Sequence, residues 1–148
     1  MPIQPRLLFL SIVFLSNTMI LHSQSILGQW ITIDDKNGNE VSVVEFYKAG
    51  DKINAKVVKI LPKGKTTHCN NCPGERKNKS LINMDIIWDL EPSGNTYTNG
   101  TILDPRGGRT FDCAVWLDED INKLNVRGSI GVSFFGRTQV WKRNTKYL

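Results

Sequence analysis

From residue 26 onward the apolar residues come in short runs that alternate with polar ones, and most runs stop at a cluster of turn-forming residues. Such a chain is suited to short, half-buried strands, because a strand has a side-chain period of two. Residues 52–61 open with Ile53, Ala55 and Val57 set against Lys52, Asn54 and Lys56. Residues 110–117 put Phe111, Cys113, Val115 and Leu117 on one side and Thr110, Asp112 and Ala114 on the other. Further strands are expected over 26–34, 41–48, 85–91, 96–103, 123–130 and 136–143. Asp35-Lys36-Asn37-Gly38, Ala49-Gly50-Asp51, Pro92-Ser93-Gly94-Asn95 and Asp118-Glu119-Asp120 supply tight turns, and 62–80 is the long irregular stretch. Eight strands joined in this way make a meander, which removes its exposed edges by closing. The expected fold class is all-β, an eight-stranded antiparallel up-and-down barrel, with a sandwich as the alternative. The interior of such a barrel is either filled by side chains or holds one small ligand.

The first residues read differently. Arg6 is the sole charged side chain before Ser23, residues 7–15 are almost wholly apolar, and Ser23-Gln24-Ser25 follows. A basic start, a short hydrophobic core and a small-residue exit make a secretory signal peptide over 1–23, leaving a single domain over 24–148. The alternative, an uncleaved anchor, needs roughly 20 apolar residues, and Ser16, Asn17 and Thr18 interrupt this run. The protein is therefore expected to be exported, periplasmic or secreted. The formal charge of +5 is modest and spread along the chain. It favours solubility and weak attraction to anionic surfaces, and it argues against a nucleic-acid partner.

Gly28-Gln29-Trp30 opens the first strand and Trp141-Lys142-Arg143 ends the last. In a closed meander those strands are neighbours, so Trp30 is placed to plug one barrel end with Arg143 or Arg137 over its ring. A Gly-x-Trp start with a late Arg resembles the lipocalin and wider calycin pattern. A longer resemblance runs through residues 26–30, Asn99-Gly100-Thr101-Ile102-Leu103-Asp104-Pro105, Leu124-Asn125-Val126-Arg127-Gly128 and residues 135–143. Together these blocks are similar to the family called domain of unknown function 2147, small exported bacterial proteins. The resemblance implies a lipocalin-like barrel in an extracytoplasmic setting and implies no activity. Ser129 departs from the aromatic residue usual there.

The residues that could carry chemistry are few. Cys69 and Cys72 form Cys-Asn-Asn-Cys in the long loop, after His68. In an oxidising compartment a local disulfide is the leading reading. A metal site on His68, Cys69 and Cys72 lacks a fourth ligand, and a redox pair lacks the helix N-terminus that lowers thiol pKa. Cys113 falls on the apolar side of its strand, which makes it a buried thiol. The other histidine, His22, is in the leader, so His68 alone would have to serve any nucleophile. No catalytic residue, metal or cofactor is assigned.

Asp104, followed by Pro105 and Gly107-Gly108, reads as a turn-maker, and Gly28, Trp30, Trp141 and Arg143 as structural. Arg127 and Arg137 sit in strands among small or apolar residues, either facing outward or paired near the rim, or binding an anionic head group bidentately. Trp30, Tyr97, Arg127 and Arg137 are the candidate ligand-binding residues. Lys63, Lys65, Arg76, Lys77 and Lys79 make the long loop basic, a solvated face or a contact for an anionic envelope surface or acidic partner. The leading expectation is a non-enzymatic binder of a small apolar or amphipathic molecule. The alternative is an interaction or structural module of the cell envelope with a filled barrel. The sequence says nothing of oligomeric state.

Overall fold

The computed structural model describes residues 25–131 and 136–148; the expected signal peptide over 1–23 lies outside them. Eight strands follow one another: β1 (Gly28–Ile33), β2 (Glu40–Ala49), β3 (Lys52–Ile60), β4 (Asp85–Ser93), β5 (Thr96–Asp104), β6 (Arg109–Leu117), β7 (Lys123–Ser129) and β8 (Gly136–Arg143). Each pairs antiparallel with the next. β1 also pairs with β8 through Trp30↔Arg143 and Ile31↔Lys142, so the sheet closes into a barrel. The up-and-down barrel expected from the alternation is the observed fold, and the sandwich alternative falls.

Alternation places the core. In β3, Ile53, Ala55 and Val57 are buried while the lysines and Asn54 between them are not. In β6, Cys113 and Val115 are buried. Trp30, Phe46, Ile87, Leu90, Val115 and Leu124 form the interior, each burial contributing about 1.5–3 kcal/mol.

A second, smaller cluster lies on the outer face, where Ile31, Val43 and Leu61 pack with Val58 and Tyr147. It explains why consecutive residues of β1 are all buried: Trp30 belongs to the interior cluster and Ile31 to the outer one. The C-terminal residues hold this cover in place. Asn144 bonds the main chain and side chain of Gln29, and the Tyr147 hydroxyl donates to Glu40 at 2.8 Å.

The long connection between β3 and β4 folds back on the barrel. Cys69 and Cys72 are joined by a disulfide and buried in the interior cluster with Leu81. A short 3₁₀ turn (Gly74–Arg76) follows, and the Arg76 guanidinium lies 4.4 Å over the Trp88 ring.

Candidate functional site

In a meander the odd-numbered connections all emerge at one end. Here these are the β1–β2 turn, the β3–β4 loop, the β5–β6 turn and the β7–β8 connection. The first three, with Ile130 and Gly136 flanking the fourth, line a cavity of about 900 Å³ that runs into the barrel. Its apolar wall includes Val57, Ile60, Ile86, Ile102, Phe111 and Val126, with Trp141 also lining it. Trp141 is buried, tilts against Phe46 with ring centroids 6.2 Å apart, and donates Nε1–H to Gln139 at 3.0 Å. Gly128 leaves part of the wall open: a Cβ there would meet only Ile102 and Phe111, at 3.4 and 3.7 Å.

The mouth is polar. Asp34, Asn37, Asn39, Lys63, Lys65 and Arg106 line it. Arg106 reaches Asp34 at 3.7 Å and Asp104 at 3.6 Å. Arg137 grips Asp35 through Nε and Nη2. That contact holds the Asp35 carboxyl below its ordinary range and pushes the Arg137 guanidinium up. Asp104 also makes the β5–β6 turn, its side chain accepting from Arg106 N–H and its carbonyl from Gly108 N–H.

The β3–β4 loop walls the mouth because it is pinned to that turn. The Asn71 amide donates to the Arg106 carbonyl at 2.8 Å. Gly108, at φ +70°, allows the approach: a Cβ there would stand 2.0 Å from the Asn71 oxygen. The disulfide sits behind this contact, with Cys69 Sγ 3.6 Å from the Pro105 carbonyl.

The candidate ligand-binding residues are scattered. Arg137 lines the cavity at its rim. Trp30 is fully buried outside the cavity lining, with Arg143 rather than Arg137 over its ring at 4.2 Å. Tyr97 packs against the core near the β4–β5 turn, at the opposite end of the barrel. Arg127 alternates with the cavity-lining Val126 and Gly128, so it points to the outer face. There its guanidinium covers Gly136, whose absent Cβ would stand 2.6 Å away, and it reaches Thr138 Oγ1 at 3.4 Å. Asp34 and Arg106 line the site outside the candidate residues, as do Lys63 and Lys65, expected only as part of the basic long loop; the available signal is that the longest loop and the first turn share an end in any meander. Among the described residues no group of three or more His, Cys, Asp or Glu side chains is placed to hold a metal ion.

Residues 28–143 match the family described as an uncharacterized protein conserved in bacteria, DUF2147. A solved structure described as protein HP1028 from Helicobacter pylori, of the lipocalin family, superimposes with a TM-score of 0.71 at 21% identity. The match covers 82% of this chain and 84% of that one. At this identity the likeness carries the fold alone. No curated protein matches the chain.

Proposed function

This chain belongs to the bacterial DUF2147 family, and from that premise we propose that its barrel takes up one small apolar or amphipathic molecule without transforming it. The cavity carries the reading: about 900 Å³ of space with an apolar wall and a polar mouth. Binding pockets for small molecules fall in this size range and have this composition. A non-enzymatic role is supported by the lining itself. Among the described residues it includes no histidine or cysteine, and the carboxylates there, Asp34 and Asp104, lie beside Arg106. Export is part of the same reading, supported by the leader-like start and by the Cys69–Cys72 disulfide, which suits an oxidising compartment.

The test is titration with an environment-sensitive apolar dye, N-phenyl-1-naphthylamine, beside native mass spectrometry of the exported chain. Saturable binding at one site per chain, lost in Gly128→Phe while the fold survives, is expected. A chain that excludes the dye and carries no adduct would instead be a filled envelope module. The intact mass also reports whether residues 1–23 have been removed.

A further inference from the structure

Beside the cavity, between the β3–β4 loop and the β5–β6 turn, lies a polar annex of about 250 Å³. Its walls include Lys65, Thr66, Thr67, His68, Asn71 and Arg106, and no carboxylate of the described residues lines it. The annex adjoins the cavity, since Lys65, Thr66, Pro105 and Arg106 line both. We infer that the annex holds the compact anionic head group, a carboxylate or a phosphate or sulfate monoester, of an amphiphile whose chain lies in the barrel. This rests on the barrel-binding reading above and adds to it the chemical class of the ligand.

The charges at the mouth divide into engaged and available. Arg137 is closed on Asp35 through two donors, which leaves it little to offer. Lys65 has no carboxylate within ion-pair distance among the described residues. Arg106 stands 3.6–3.7 Å from Asp104 and Asp34, longer than the roughly 2.7–2.9 Å of a close charged hydrogen bond. An anion entering the annex therefore meets a lysine without a competing partner and a guanidinium not saturated by its neighbours. The Thr66 hydroxyl adds a donor of the kind an anion requires, while the Thr67 hydroxyl lies 2.9 Å from His68 Nδ1 and is engaged there. Backbone bonds Cys69 N–H to Lys79 and Leu81 N–H to Thr67, at 2.9 Å each, order the loop, as does Asn71 on Arg106. The main chain that carries these donors is therefore ordered before a ligand arrives.

The experiment displaces N-phenyl-1-naphthylamine with chain-matched decanoate, decyl phosphate, decanol and decylamine, all below their micelle concentrations. Each anion is expected to bind at least about tenfold tighter than decanol and decylamine. In Lys65→Gln/Arg106→Gln that preference shrinks to about twofold with decanol affinity unchanged. Lys65→Gln alone, at an exposed side chain outside every ion pair named here, gives an intermediate preference and guards against a turn disturbed at Arg106. Comparison of decanoate with decyl phosphate distinguishes the two head groups. Equal binding of anion and alcohol, or a preference that survives both substitutions, overturns the annex and leaves the barrel reading standing. If none of the four binds and the dye is excluded as well, the barrel reading itself fails.

Discussion

The guanidinium of Arg143 lies 4.2 Å over the ring of Trp30, and the same two residues are backbone partners across the β1–β8 seam. The contact closes the barrel where its strand pairing is shortest, with two registered pairs. Trp30 donates its indole N–H to the Ile26 carbonyl at 2.8 Å. Arg143 donates to the carbonyls of Ser25 and Ile121, at 3.3 and 3.1 Å, so one side chain ties three segments together. Arg143→Ala is expected to cost about 2 kcal/mol in urea unfolding, from the lost ring contact and two carbonyls left without a donor. Arg143→Lys should retain part of it. A change within about 0.5 kcal/mol, the range of an ordinary surface substitution, would remove the seam role.

Gly108 meets Asn71 so closely that no side chain fits between them. Gly108→Ala adds both that clash and the strain of a positive φ, and should destabilise by about 1–3 kcal/mol. The damage should be local. Hydrogen exchange at the amides of Cys69 and Leu81 should quicken, while the amides of β6 and β7 keep their protection.

Cys113 is buried, and desolvation pushes its thiol from 9.0 to about 12. Iodoacetamide at pH 8 should leave it unmodified in the folded, oxidised protein and label it fully in urea. The sign for stability follows from linkage. Below pH 9 the thiol is protonated in both states and its contribution is intact. As pH rises from there toward 12, the unfolded chain ionises first and stability falls, by about 1.4 kcal/mol per pH unit at most. Cys113→Ala should flatten that alkaline slope.

Glu40 anchors the C-terminal cover, accepting from Lys146 at 2.8 Å and from the Tyr147 hydroxyl. Those bonds hold its carboxyl below the ordinary value of 4.5. The cover is therefore fully supported above pH 4.5 and loses that support as pH falls through the depressed folded value. Exchange protection of the Tyr147 amide, bonded to Asn144 at 2.9 Å, should drop in acid. In Glu40→Gln it should be weak already at pH 7 and respond little to acid.

The Cys69–Cys72 bridge closes only a short loop, so its chain-entropy contribution is about 2 kcal/mol. Cys69→Ala/Cys72→Ala should lower stability by about that amount. It should also raise dye exchange rates, because the bridge backs the loop that walls the mouth.

The barrel was legible in the sequence because its determinants are local. Alternation such as Ile53, Ala55 and Val57, and turns such as Asp104-Pro105-Arg106-Gly107-Gly108, act within a few residues and leave an antiparallel meander little freedom. Strand ends agree with the expected ones to within two residues. That Arg143 or Arg137 lies over Trp30 was legible for the same reason, since closure makes the first and last strands neighbours, and the tertiary structure selects Arg143. Tertiary structure alone decided which end stays open and which charges are already engaged. The pleat shows that Arg127 and Arg137 face opposite ways, and the β7–β8 register sets Thr138 opposite Arg127, but Asp35 becomes the partner of Arg137 only when barrel closure brings the first turn to the last strand. The outer cover of Ile31 by Tyr147 is likewise long-range, linking residues more than a hundred positions apart. No periodicity records such a contact, because it depends on how the closed barrel brings distant side chains together.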